Sequence, residues 1–281
     1  MGYSIFDETI VDMNWTEIEK VVKKGAIALL PTGVIEEHGP HMGLGVDIYI
    51  AYLLCKFTRR ELEAKGIRTL IAPPYYWGIN NATGSFPGSF TFRKETIKNI
   101  LYEILSCLHR WGVTHVFNIN HHNDIEHNMA ILEAIKEARV DTGVRAYLIR
   151  PDWYAKRLGY TGKEEYILVE KSPPSPAPPP KYLDIHAGER ETGIMAHYFP
   201  NQVNIELAKE LKSTDFTDQH LTVFRQGWSD ARKLTPWGYF GAPASFDLDA
   251  SKKLIETRTK EIANLIERFL TGTYKAPQTD P

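Results

Sequence analysis

The chain is 281 residues long, with 33 Lys and Arg against 35 Asp and Glu, a formal net charge of −2. Without a basic excess there are few counterions to release on binding, so nucleic acid and anionic membranes are excluded as partners held by bulk charge. At 43% hydrophobic and 24% charged residues the composition is that of an ordinary globular protein, and no apolar run reaches the ~18 residues of a membrane span.

The first fifteen residues, MGYSIFDETIVDMNW, hold no basic stretch leading into an apolar one, so no secretory signal is expected. Ala26–Pro31 reads as a buried strand. Asp47–Lys65 follows as an amphipathic helix in which Ile50, Leu53, Leu54 and Phe57 recur at helical spacing. Strands are then expected at Thr69–Pro73, His115–Asn120 and Arg145–Arg150, with helices at Arg93–Trp111 and Asp124–Val140 between them. Gly66, Gly112 and Gly143 close these helices where a left-handed residue is needed. A last amphipathic helix covers about 250–270. Strand–helix alternation around one core predicts an α/β fold of three layers, a largely parallel β-sheet flanked by helices.

Ser172–Pro180 interrupts the pattern with six prolines in nine residues, an extended, stiff loop bordering a site or a subunit contact. No other boundary and no repeat is visible, so residues 1–281 are expected to form a single domain. Cys55 and Cys107 both fall in apolar helical context, which fits free thiols in a reducing, cytoplasmic compartment.

Five of the ten histidines fall in three polar windows. The first, Glu36-Glu37-His38-Gly39-Pro40-His41, follows the first strand, at the end of the sheet where α/β folds bind ligands. Glu36 and His38 are two apart, so an extended backbone points them the same way. Asp47 opens the next helix, as a ligand or as its cap. Glu, His and Asp together suit zinc, manganese or iron(II). The second window, Asn120-His121-His122-Asn123-Asp124, follows the third strand. Neighbouring histidines point apart, so one of His121 and His122 at most is a metal ligand, and Asp124 or Asn123 can equally cap a helix. In the third, His186-Ala187-Gly188-Glu189-Arg190-Glu191, Glu191 can orient His186 or reach a metal. Other chemistries lack their motifs: there is no His-Glu-x-x-His pair, no phosphate-binding Gly-rich loop and no Gly-x-Ser-x-Gly elbow.

Pro31-Thr32-Gly33, Glu36-x-His38-Gly39-Pro40-His41, Asp47, Phe86-Pro87-Gly88, Asn120-x-His122 and His186-Ala-Gly-Glu-x-Glu191-Thr192, in this order, resemble the creatininase (creatinine amidohydrolase) family. The resemblance implies a compact α/β fold, often assembled as a hexamer, with a hydrolytic site of two divalent metal ions (zinc or manganese, with iron in some branches). Carried over, Glu36 and His122 would hold one ion, His38 and Asp124 the other, and Asp47 would bridge them. His186 would be the proton shuttle, supported by Glu191.

The chain also departs from that family. His121 stands where the family has glycine, and Asn123-Asp124 where creatinine-acting members have tyrosine and glutamate. Tyr182 takes the place of a tryptophan, while Asn80 and Thr83 stand near a usual histidine and serine. Asn80, Asn123, Trp153 and Tyr182 are the expected substrate contacts. The reading is a hydrolase of a small molecule in which metal-activated water opens a cyclic amide or cleaves a related C–N bond. The runner-up is a carbon–carbon hydrolase opening a diketo-inositol ring in carbohydrate catabolism, and the third reading is a metal-stabilised scaffold without catalysis. Retention of His186 beside Glu191 argues against the scaffold.

Overall fold

The computed structural model describes residues 4, 6–171 and 181–277, so the proline-rich loop at 172–180 lies outside the described residues. The elements run α1 (Trp15–Val22), β1 (Ile27–Thr32), α2 (Val46–Ala64), β2 (Thr69–Ile71), α3 (Lys94–Arg110), β3 (His115–Asn120), α4 (Ile125–Thr142), β4 (Arg145–Pro151), α5 (Asp152–Arg157), β5 (Ile167–Glu170), α6 (Glu189–Tyr198), α7 (Ile205–Glu210), α8 (Asp218–Gln226), α9 (Trp228–Leu234) and α10 (Leu248–Leu270). The four strands and the longer helices stand within a few residues of their expected places. The second strand ends at Ile71 because Pro73 and Pro74 follow it and proline has no N–H to donate to the ladder.

The sheet is parallel throughout, in the order β2-β1-β3-β4-β5. Every residue of β1 is buried, which is why it reads as an unbroken apolar run and not as an alternation. Its side chains still divide between two cores. Ala28 and Leu30 pack with Leu101 and Leu105 of α3 and Ile131 and Ile135 of α4. Ile27 and Leu29 pack on the other side with Ile50 and Leu54 of α2 and Ile262 and Ile266 of α10. Helix, sheet and helix thus make the three layers.

The strand order positions the site. After β1 the chain places β2 on one side, then crosses back to place β3 on the other. The loops leaving β1 and β3 therefore diverge, and a crevice opens above their carboxyl ends. Pairing of Thr32 with Asn120 sets the two strand ends level, so the windows that follow them face one another.

The fourth crossover was not visible in the sequence. Strand β5 is four residues long and sits at the edge of the sheet, and its partner α10 is eighty residues further on. They are joined by an ion pair in which Arg258 Nη2 and Nε reach Glu170 Oε1 at 2.7 and 3.1 Å. Glu170 is buried at 2% exposure, so removing the cation leaves a carboxylate in the core. Arg258→Ala is expected to cost about 3 kcal/mol or more in a urea unfolding experiment. A loss below about 1 kcal/mol would show that water screens the pair.

Candidate metal centre

The approach of the first window to Asp47 depends on a glycine. A Cβ on Gly33 would lie 2.7 Å from Ile48 N and 2.8 Å from Asp47 C, so only glycine lets the exit of β1 press against the first turn of α2. Glu36, His38 and Asp47 come together as a result, all buried. The crossing to β3 adds His122, and the first turn of α6 adds Glu191.

Three histidines converge here, and each is tied by one ring nitrogen to a backbone carbonyl. His122 Nε2 donates to Ile79 O at 3.0 Å, His38 Nδ1 to Glu36 O at 3.2 Å and His186 Nε2 to Glu37 O at 2.8 Å. The other nitrogen of each is directed at carboxylates. His122 Nδ1 lies 3.1 Å from both Glu36 Oε1 and Asp47 Oδ2. His38 Nε2 lies 3.7 Å from Glu191 Oε2 and 4.0 Å from Asp47 Oδ1. His186 Nδ1 lies 4.0 Å from Glu36 Oε1.

Lone pairs of nitrogen and oxygen aimed at one point repel unless a cation stands between them. Of these buried atoms, His38 Nε2 has no hydrogen-bond partner, as expected of a donor reserved for a metal ion. Glu36, Asp47 and His122 form one group with metal-ligand spacing, and His38, Asp47 and Glu191 another. Asp47 is common to both. A further combination takes Glu36 from the first group and His38 from the second and adds His186. Buried Glu, Asp and His fit zinc or manganese better than a soft-ligand metal.

The histidines and carboxylates displace one another's titration. Burial works to lower the His122 pKa, but Glu36 and Asp47 outweigh it and push it well above the usual histidine range. Burial likewise works against ionised Glu36, yet His122, His186 and His38 hold its carboxyl well below the carboxylate range. For His186 the cost of burial is overcome by Glu37 and Glu36, and its pKa rises to about 10. Metal uptake should therefore release protons.

The surrounding side chains fix the ligands in place. Thr83 Oγ1 donates to Glu36 Oε2 at 2.5 Å. Asn120 and Asn128, both buried, donate to the His122 carbonyl at 2.9 and 3.0 Å. His127 is buried with its ring centroid 5.3 Å from that of His122. Burial holds its pKa well below the usual range, so it supports His122 as a neutral ring.

Several expected positions differ from what is observed. Asp124 is in neither group. Its Oδ1 accepts from His127 N at 3.0 Å, capping α4, and its Oδ2 accepts from Asn81 N at 3.1 Å. Aspartate is too short to cap the helix and reach into the crevice, and Glu191 supplies the oxygen beside His38 instead. Glu191 in turn does not support His186. Its Oε2 accepts from Ala187 N at 2.7 Å and its Oε1 lies 3.3 Å from His121 Nε2. The group behind His186 is Glu37, through its carbonyl and through Oε1 at 3.4 Å.

Among the expected substrate contacts, Asn80 is fully buried and braces the loop by donating to Ile35 O at 3.2 Å and Phe90 O at 2.6 Å. Asn123 Oδ1 accepts from the buried Arg150 guanidinium. Trp153 is 52% exposed and packs edge-on against Tyr154. Tyr182 lies beneath the Lys181 ammonium. Asn80 makes these bonds through Nδ2, and its Oδ1 has no hydrogen-bond partner.

A buried constellation of this kind, at the switch point of a parallel sheet, fits a metal site. A family model described as Creatinine amidohydrolase matches residues 11–266, and the chain belongs to the creatininase family. It is 27% identical over 224 residues to creatinine amidohydrolase of Pseudomonas putida, covering 73% of this chain and 76% of that protein. It is 24% identical over 244 residues to the mycofactocin precursor peptide peptidase of Mycolicibacterium smegmatis, covering 86% and 85%. A solved creatinine amidohydrolase superposes with a TM-score of 0.70 at 22% identity, over 97% of this chain and 99% of that one. Two further solved creatininases are described as Mn and as Zn–Zn forms. The diketo-inositol reading finds no support here: the named relatives are a creatinine amidohydrolase and a precursor peptide peptidase.

Removing Asp47 should empty both groups, whereas Asp124 should matter to the α4 cap and to its bond with Asn81 N. Metal analysis of zinc-loaded protein after gel filtration is expected to find Asp47→Ala stripped of metal. Asp124→Ala should keep the wild-type content and lose about 1 kcal/mol of stability. Loss of metal from Asp124→Ala would restore that residue as a ligand.

Proposed function

We propose that this protein is a metal-dependent amidohydrolase that opens a cyclic amide or cleaves a related small C–N substrate. The observation that carries the reading is the arrangement of histidine nitrogens, each fixed by a backbone carbonyl and aimed into a shared set of buried carboxylates. Divalent ions bound there would activate water at neutral pH and polarise the substrate carbonyl.

The chain's own residues do the rest. Glu36, Asp47 and His122 hold one ion, and His38, Asp47 and Glu191 the other. His186 is the acid and base. Its Nε2–H is committed to the Glu37 carbonyl, so the proton it exchanges sits on Nδ1, the atom facing Glu36 and the crevice. Glu37 Oε1, 3.4 Å from Nε2, stabilises the ring when it is charged. A leaving nitrogen needs such a proton, and a positioned acid contributes roughly 10²–10⁴-fold. A site that only stabilised the fold would need ligands but no additional histidine–carboxylate pair.

A peptide amide is the second reading. It is favoured by the longer match to the precursor peptide peptidase, 86% of this chain against 73% for the creatinine amidohydrolase. Both readings use the same atoms and differ in what the crevice admits.

Manganese- or zinc-loaded protein, followed by proton NMR against creatinine, a simple lactam, an N-formyl amine and a short peptide, is expected to hydrolyse at least one of them. His186→Ala should keep its metal and lose about 10²–10⁴-fold in kcat. Full activity in that variant would overturn the assignment.

A further inference from the structure

His121 is adjacent to His122 yet belongs to neither metal-ligand group. Its side chain leaves the chain on the opposite side from that of His122. While His122 enters the group of Glu36 and Asp47, His121 Nε2 reaches Glu191 Oε1 at 3.3 Å. The pair is shielded from water, with side-chain exposures of 11% and 14%. Backbone bonds fix both ends, since His121 N donates to Thr32 O at 3.3 Å and Ala187 N donates to Glu191 Oε2 at 2.7 Å.

Glutamate carries three rotatable side-chain bonds and two equivalent oxygens, so by itself it can present either oxygen, or both, to a cation. Here the oxygens are distinguished. Oε1 is occupied by His121, and Oε2 lies 3.7 Å from the unpartnered His38 Nε2. We propose that His121 is a positioning residue that holds Glu191 with a single oxygen turned toward His38 and Asp47, and so sets the affinity of the second cation without touching it. This inference rests on the metal-hydrolase reading above.

Outer partners of metal ligands are worth about 10–100-fold in metal affinity. The probe is Mn²⁺ alone, titrated into metal-free protein and followed by the electron paramagnetic resonance of the free ion. Wild type is expected to take up two ions. His121→Ala should weaken the second binding step 10–100-fold and leave the first within about threefold, with an unchanged melting curve for the metal-free protein. His121→Gln, which puts an N–H donor near the same place, should recover most of the loss. Unaltered binding in His121→Ala overturns the proposal alone. Abolition of the second step in both variants also overturns it and makes His121 a ligand. A wild-type protein that binds no Mn²⁺ overturns the metal-hydrolase reading itself, and the inference with it.

Discussion

Glu36, Asp47 and Glu191 bring three carboxylates into a crevice from which water is largely excluded, with Glu37 directly behind them. Charges of one sign in a low-dielectric interior repel strongly, and none is stable there without a counter-charge. The rest of the structure answers that constraint. Histidines surround the carboxylates, the far nitrogen of each is fastened to the main chain, and the near nitrogens meet where a cation would sit. In the metal-free protein the same constraint shows as displaced titration, with His122 and His186 pushed up and Glu36 held down.

The sheet makes this concentration possible. Because β1 and β3 are neighbours but their following loops diverge, each strand end delivers a polar segment to the same crevice without crossing the other. Gly33 brings the start of α2 within reach, and the antiparallel bridge between His186 and Phe240 locks the third segment down. The stretch from 213 to 249 closes around that bridge. Phe224 and Phe240 pack together, and the Phe224 ring lies 5.9 Å from that of His186. Phe224 and Phe240 thus back the His186 ring. The stretch carries no motif because its task is contact and not chemistry.

Much of the fold could be read from the chain because β1, β3 and β4 are buried on both faces, and α2, α3 and α4 end at glycines that adopt or adjoin left-handed turns. Strand β5 could not, since four residues at a sheet edge give no period and its stabilising partner, Arg258, is distant in sequence. The same division runs through the site. Glu36, His38, Asp47 and His122 were recognisable because each follows a strand or opens a helix. Asp124 and Glu191 were harder to place because a carboxylate at the start of a helix has two competing uses, capping and coordination. Only the geometry shows that Asp124 is spent on α4 while Glu191 faces His38. Thr83, Glu37 and His121 meet Glu36, His186 and Glu191 in space, and the sequence carries no signal for those contacts. The absence of a long apolar helix agrees with the composition: among the described residues none could cross a membrane.

The central claim is that the two donor groups sharing Asp47 are metal sites. Crystals of manganese-loaded protein, measured at the manganese absorption edge, test it most directly. The account predicts two anomalous peaks, one bounded by Glu36, Asp47 and His122 and the other by His38, Asp47 and Glu191, with Asp124 still on the α4 backbone. No peak between these side chains, or a peak bounded by Asp124 in place of Glu191, would contradict it.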